Sequence, residues 1–369
     1  MENLYLTALI ALIGSFVLVK IFIPKIIWIV NSRNLIDDPD HRSSHKISTP
    51  TMAGVAFFLT LIFAINFIGK WDTDGISMNL MAALTLMFAI GLKDDLVVST
   101  PRAKIGGELL AISLVLFSSS LQFTSLDGFF GIQSIPSLVS YALIILMILF
   151  IVNSYNMIDG IDGLASIIGI VIFGVYGSIY FLMGLNFYFL LCMCLIGIQL
   201  AYLYYNLSST KKIFMGDTGS LVMGFCIGFL SLKFLSIDTS ILTELSFIPE
   251  NKFYIIAAIF YIPLFDTLRV IGVRLINKKS PFFPDNNHIH HILIGSGLKH
   301  RQASLFLGFL NLLLAGVFII LSLKLNNFQM LLVFILSFIL LLGLFHQLKS
   351  NIKSTNTFRY LVRAIHMMF

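Results

Sequence analysis

Five aspartates interrupt an otherwise oily chain at three places: Asp94 and Asp95 in GLKDDL, Asp159 and Asp162 in NMIDGIDGL, and Asp217 in FMGDTGS. A carboxylate beside an apolar span is costly to keep, so five of them in Gly-rich settings point to a hard divalent cation held against phosphate. A fourth interruption, Pro284-Asp285-Asn286-Asn287-His288-Ile289-His290-His291, puts three histidines within four residues of a basic stretch. No cysteine accompanies them, and the acids elsewhere favour Mg²⁺ or Mn²⁺ over Zn²⁺. The imidazoles are therefore expected to donate to phosphate oxygens.

Spacing refines the expectation. Adjacent residues at a helix end point about 100° apart, so Asp94 and Asp95 should serve different partners, one a metal or base function and the other positioning. Asn153, Asn156, Asp159 and Asp162 recur every third residue, which predicts one polar stripe along a helical face, with Gly160 and Gly163 letting a ligand approach. Asp217 falls where a helix N-cap would sit, and its flanking glycines expose backbone N–H groups suited to phosphate. The sum is a set of acids for a cation, histidines and Lys/Arg for anionic oxygens, and Gly-rich turns for a diphosphate.

The elements that carry these residues are membrane spans. The composition is 58% hydrophobic and 11% charged, with a mean hydropathy of +0.94, which excludes an ordinary soluble domain. At roughly 20 apolar residues per span the chain offers about eleven, centred near Ile13, Leu61, Leu84, Leu114, Ile145, Phe173, Met193, Cys226, Ala258, Leu312 and Ile335. The expected fold is an all-α polytopic membrane protein, residues 1–369 forming one domain. Its cytoplasmic loops lie near 31–51, 93–105, 153–163, 206–220 and 275–302. Alternating the loops puts all but four of the 24 Lys and Arg on one face; the exceptions are Lys70, Lys233, Lys252 and Lys324. The positive-inside rule makes that face cytoplasmic, with the N-terminus outside and the C-terminus inside. The acidic motifs and the histidines land on the same face, although the assignment does not use them.

Other features are read as structural. The segment from Leu4 to Val30 lacks a basic leader and a small-residue cleavage site, so it is expected to stay as a span. Cys192, Cys194 and Cys226 lie within spans as packing residues. The Ser236–Lys252 stretch, with Asp238, Glu244 and Glu250, is expected to be a solvated external loop. An ion-coupled transporter would also keep acids in the membrane, but near the midplane on broken helices. A CDP-alcohol phosphotransferase would need an Arg after Asp162-Gly163-Leu164-Ala165, where Ser166 stands.

GLKDDL, NSYNMIDGIDGLA, FMGDTGSL and PDNNHIHHIL, in this order, resemble the polyprenyl-phosphate N-acetylhexosamine-1-phosphate transferases of glycosyltransferase family 4. The likeness runs from HKISTPT at His45–Thr51 to His291, and is greater to the WecA/TagO-like branch than to the MraY branch that makes the first peptidoglycan lipid intermediate. It implies Mg²⁺-dependent transfer of a sugar-1-phosphate from a UDP-N-acetylated sugar to undecaprenyl phosphate at the cytoplasmic side of the bacterial inner membrane, with release of UMP. The product would start a lipopolysaccharide, O-antigen or cell-wall polymer. Among residues it implies Asp217 as first metal ligand, with Asp94 and Asp95 positioning the lipid phosphate and sharing the metal. Asp159 and Asp162 are implied as catalytic, assisting the metal or the nucleotide. Lys46, Lys104, Asn153, Asn156, Asn206, His288, His290 and His291 are implied as substrate contacts. UDP-GlcNAc is the leading donor, other UDP-N-acetylated or deoxy-aminosugars being the alternatives. No nucleic-acid partner is implied, and a homodimer is left open. Two departures stand out. The family's Met-Gly-Gly reads Met52-Ala53-Gly54, and its Pro-Asp-Arg reads Pro284-Asp285-Asn286, which removes a bidentate phosphate contact that Arg269 or Arg274 would have to replace.

Overall fold

The computed structural model describes residues 2–33, 36–37, 49–97, 99–116, 118, 121, 123–280 and 287–351. Lys46, residues 45–48 and Pro284–Asn286 lie outside the described residues. In chain order the elements are α1 (Glu2–Ser32), β1 (Ile36–Asp37), β2 (Thr49–Pro50), α2 (Ala53–Ile68), α3 (Ser77–Leu96), α4 (Pro101–Leu116), β3 (Ser125–Phe129) and β4 (Ile132–Ser134). There follow α5 (Ser137–Ile158), α6 (Leu164–Leu182), α7 (Asn186–Asn206), α8 (Gly216–Leu235), α9 (Thr239–Glu244), α10 (Lys252–Ile259), α11 (Tyr261–Ile276), α12 (Ile289–Gly295), α13 (His300–Ser322) and α14 (Asn327–Asn351). The strands form two small antiparallel pairs, β1 with β2 and β3 with β4, so the fold is helical but not strictly all-α.

Helix α8 is the axis. Every residue from Thr218 to Leu235 is buried, and α2, α3 and α5 pack around it. Small residues set the distance of approach. A Cβ added at Gly91 of α3 would lie 2.4 Å from Thr218 Cα, and one at Gly54 of α2 would lie 2.2 Å from Gly219 N. The backbone of 50–54 also pairs with 213–215 through Phe214 N to Pro50 O, Ala53 N to Phe214 O and Gly54 N to Met215 O. Two separate parts of the chain, α3 and the segment 50–54 that enters α2, are thereby locked to the start of α8.

Among the described residues eight helices are long and apolar enough to cross a membrane, or nine if the bent pair around α10 and α11 counts as one span. All eleven centres expected from the sequence fall within helices, but α3 and α4 do not meet that standard. The first ends in Lys93-Asp94-Asp95, and the second has only 16 residues and begins Pro-Arg-Ala-Lys. The two halves of the bent pair meet at 76°. Pro263 in the first turn of α11 cannot donate to the preceding turn, and Asn311 of α13 fills the break. Its amide donates to Ile259 O at 2.9 Å and its carbonyl accepts from Ile262 N at 2.9 Å.

The end of the bundle opposite the acidic motifs is more ordered than the sequence suggests. Ser236–Lys252 contains α9 and is not a solvated loop, because it carries Leu242 and Lys252 into the interior. The Lys252 ammonium donates to Asp127 Oδ2 at 2.6 Å and to the carbonyls of Leu235 and Ile237, tying the β3–β4 hairpin to α10. Lys233 closes the same end by pairing with Asp74 at 2.7 Å. Burial works against the Asp74 carboxylate, yet hydrogen bonds from Lys233 and Tyr188 hold its pKa below the usual range. Cys192, Cys194 and Cys226 are buried free thiols, as expected of packing residues.

Candidate active site

The three acidic motifs meet at one end of the bundle. Asp94 and Asp95 end α3, Asn156 lies in the last turn of α5, and Asp217 lies in the first turn of α8. Lys104, one turn into α4, reaches Asp94 Oδ2 at 3.2 Å and Asp217 Oδ1 at 3.3 Å. Asn156 Nδ2 donates to the same Asp217 oxygen and to Ser220 Oγ. Asp94 Oδ1 accepts from Ser99 N at 2.7 Å, which fixes the short α3–α4 connection.

Asp94 and Asp95 do divide their work. Asp95 Oδ1 accepts from Asp217 N at 2.7 Å, and Oδ2 accepts from Thr218 N at 3.0 Å and from Thr218 Oγ1. Asp95 thus caps α8 from another helix, and its two oxygens answer backbone donors that a helix start leaves open. This corrects two expectations. Asp217 is not its own cap, since it stands one residue inside the helix. Asp95 is not turned toward a shared metal, because its oxygens are already engaged. Gly216 makes the arrangement possible: its φ is +71°, and a Cβ there would lie 2.7 Å from Asp95 Oδ2.

The predicted stripe of four polar residues breaks after its second member. Helix α5 stops at Ile158 and the chain turns through 159–163, so Asp159 and Asp162 leave the helical face. Asp162 Oδ2 pairs with Lys212 at 2.6 Å and faces His300 Nδ1 at 3.4 Å. Asp159 is half-buried. Burial first, then the neighbouring charges of Asp217, Asp162 and Asp95, push its carboxyl up to about 7. Asn153 faces α4, donating to Glu108 Oε2 at 2.9 Å. Asn206 is buried and spends its amide on the protein, accepting from Gly163 N at 2.6 Å and donating to Ile213 O and Tyr202 Oη. It ties the 159–163 turn to the approach to α8, and does not face substrate as expected.

The histidines converge on the same end but are unequal. His288 Nδ1 lies 2.8 Å from Asp266 Oδ2, and Ile289 N donates to Asp266 Oδ1 at 2.9 Å. Arg269 reaches Asp266 Oδ1 at 3.4 Å and donates to the carbonyl of Asn287, so it does stand beside the histidine loop. His290 is 1% exposed and packs against Gly160, where a Cβ would lie 2.3 Å from its Nε2. Burial and the adjacent His291, His288 and His300 push its pKa down to about 3, against the pull of Asp266, which keeps the ring neutral. The ring is closed off from solvent, and among the described residues both of its nitrogens are buried without a hydrogen-bond partner. His291 stays half-exposed beside it, ring centroids 4.3 Å apart.

Among the described residues no three His, Cys, Asp or Glu side chains form a group that could hold a metal ion by themselves. The pair Asp94 and Asp217 still fits Mg²⁺. That ion takes one or two carboxylates from the protein and completes its shell with water and substrate phosphate, and Lys104 already marks the point between the two acids as one for positive charge. Five carboxylates against Lys104 and Lys212 leave the cluster with an excess of negative charge. Sequence reasoning missed Glu108, Asp266, Lys212 and His300. The signal for the first two was present: a lone acid in an apolar run, GGELLAISL and YIPLFDTLRV.

A cavity of about 660 Å³ lies between α5 and the bent α10–α11 pair, with Ile105 of α4 at its edge. Phe150, Met157, Phe253, Phe260 and Ile271 give it an apolar wall, and Asn153 is among its few polar residues. It runs along α5 to within one residue of Asn156, the residue that touches Asp217.

A helical membrane protein that gathers acids, lysines and histidines beside an oily cavity is built for polar chemistry on a lipid-borne group. Residues 77–235 match the model of glycosyl transferase family 4. Over 316 residues the chain is 29% identical to the undecaprenyl-phosphate alpha-N-acetylglucosaminyl 1-phosphate transferase of Salmonella typhi, covering 85% of this chain and 83% of that protein. Proteins of the same name from Escherichia coli (strain K12) and Haemophilus influenzae (strain ATCC 51907 / DSM 11121 / KW20 / Rd) are 28% and 29% identical. They cover 89% and 85% of this chain, and 88% and 85% of their own lengths. The family match and the relatives agree: the chain is similar to the polyprenyl-phosphate N-acetylhexosamine-1-phosphate transferases of glycosyl transferase family 4.

Proposed function

We propose that the protein transfers N-acetylhexosamine-1-phosphate, with GlcNAc-1-phosphate as the leading group, from the UDP-sugar to undecaprenyl phosphate. UMP is released and a lipid-linked surface polysaccharide or wall polymer is begun. The observation that carries the reading is the meeting of Asp94, Lys104, Asn156 and Asp217, with Asn156 on the same helix, α5, that lines the apolar cavity through Asn153, Ser154 and Met157. The names of the relatives agree with it, and nothing in them favours a transporter.

An oxygen of the lipid phosphate attacks the β-phosphorus of the donor, and the bond from that phosphorus to the bridging oxygen breaks, the electron pair leaving with UMP. A phosphate monoester has its second pKa near 6, so the acceptor is largely dianionic at pH 7 and needs little base help. Positioning and charge neutralisation supply most of the acceleration. Mg²⁺, held by Asp94 and Asp217, would neutralise the developing charge on the diphosphate. Lys104 holds both acids in place and adds its own charge, Asn156 fixes the Asp217 rotamer, and Asp95 aims the amide end of α8. His288 and His291 offer donors to the phosphates. The apolar cavity takes the isoprenoid chain.

The site would lie at the cytoplasmic face of a bacterial inner membrane, in an eleven-span topology with the N-terminus outside and the C-terminus inside. The basic residues carry this orientation. Purified protein with undecaprenyl phosphate and a panel of radiolabelled UDP-sugars tests the reaction. A lipid-linked sugar diphosphate formed one for one with UMP, fastest from UDP-GlcNAc, is expected. Failure to form any such lipid from any UDP-N-acetylated sugar would refute the assignment.

A further inference from the structure

Asp266 lies in α11, outside every sequence motif, yet one carboxylate organises three consecutive residues at the start of α12. Oδ2 lies 2.8 Å from His288 Nδ1, Oδ1 accepts from Ile289 N at 2.9 Å, and Arg269, 3.4 Å from Oδ1, carries the contact on to the carbonyl of Asn287. Asp266 is 2% exposed and is the one acid of α11, whose other charged residues are Arg269 and Arg274. Capping alone does not account for it. A Ser or Asn can accept from one backbone N–H without burying a charge, and a buried charge is expensive. The second oxygen goes to the imidazole. A carboxylate on Nδ1 makes that nitrogen the donor and fixes the ring plane, so Nε2 becomes the atom left for another partner.

We propose that Asp266 is a positioning residue for the transfer reaction, holding His288 with Nδ1 toward α11 and Nε2 free to meet the donor's diphosphate. The inference rests on the reading of His288 as a substrate contact. The frame is stiff, because α11 is anchored at its start by Asn311. The same helix lines the lipid cavity with Leu264, Thr267 and Ile271, so the ring is held by the element that also holds the acceptor's side of the site.

The test is a double-mutant cycle in the full-length protein, reading kcat and KM for UDP-GlcNAc with undecaprenyl phosphate saturating. Asp266→Asn keeps a carbonyl oxygen for Ile289 N but loses the charge that orders the ring. It is expected to unfold at the wild-type temperature and to lose about 10- to 100-fold in kcat/KM. His288→Ala should lose at least as much, and the double variant should be no slower than His288→Ala alone, because the two residues act as one. Should Asp266→Asn fail to fold, Asp266→Glu, which keeps the charge but moves both oxygens by one methylene, takes its place, with the same expectation that its loss does not multiply with that of His288→Ala. Losses that multiply in the double variant, or an Asp266 variant as active as wild type beside an impaired His288→Ala, overturn the inference alone. Wild-type activity in His288→Ala removes the histidine from the substrate and the inference with it.

Discussion

Asp217 has its side chain between Lys104 and Asn156 and its backbone N–H on Asp95, so changing its charge should leave the packing of α8 intact. Asp217→Asn is expected to fold and to lose turnover by at least about 100-fold, the scale of removing one preorganised electrostatic group from a reaction centre. Unchanged kcat at saturating substrates would take Asp217 out of the reaction. Asp159 makes a different prediction. Its carboxyl is raised from 3.8 to about 7 by burial and by its acidic neighbours, so the folded protein binds the proton more tightly than the unfolded chain. Stability from this group is present at low pH and is lost as pH rises from about 4 through about 7. Asp159→Asn should flatten that decline in thermal unfolding of metal-free protein, and an unchanged slope would contradict it. The five aspartates were legible as residues because each breaks an apolar text. Glu108 and Asp266 were not singled out, since a lone acid inside a helix belongs to no spacing pattern and its partners lie far along the chain.

At the scale of elements, the start of α8 is the part most dependent on the rest. Its cap comes from Asp95, 122 positions earlier in the chain, a pairing that no local signal announces. Asp95→Ala should destabilise the fold by about 1–2 kcal/mol, the range of a lost cap, and lower activity by loosening Asp217. Thermal unfolding in detergent measures it, and an unaltered midpoint would mean that α8 starts without this help. The end of α5 shows the opposite limit of sequence reading. Three-residue spacing correctly marked Asn153 and Asn156 as helical, then overran into 159–163, where two glycines allow the chain to turn. The bend between α10 and α11 was hidden for a related reason: Pro263 marks a break, but the Asn311 amide that satisfies it belongs to another helix.

For the whole molecule, composition and the sidedness of Lys and Arg foresaw a bundle with its motifs at one end, and the described residues do bring them together. The span count was less legible, because α3 and α4 are polar at the ends that build the site. The orientation predicts that a cysteine placed at Ser134, exposed in β4, is labelled by a membrane-impermeant maleimide added outside intact cells, and one at Lys211 is not. The three native cysteines are buried and should stay silent. The reverse labelling would invert the topology. Narrowing the cavity with Ala257→Trp should raise KM for undecaprenyl phosphate roughly tenfold, about 1.4 kcal/mol, with little effect on KM for the UDP-sugar. The most direct test of the central claim is turnover of undecaprenyl phosphate and UDP-GlcNAc against Mg²⁺ concentration in wild type, Asp94→Asn and Asp217→Asn. Saturable dependence on the ion in wild type, with both variants inactive or needing far more of it, is the predicted result. Turnover that ignores Mg²⁺, or variants that saturate as wild type does, would contradict the account.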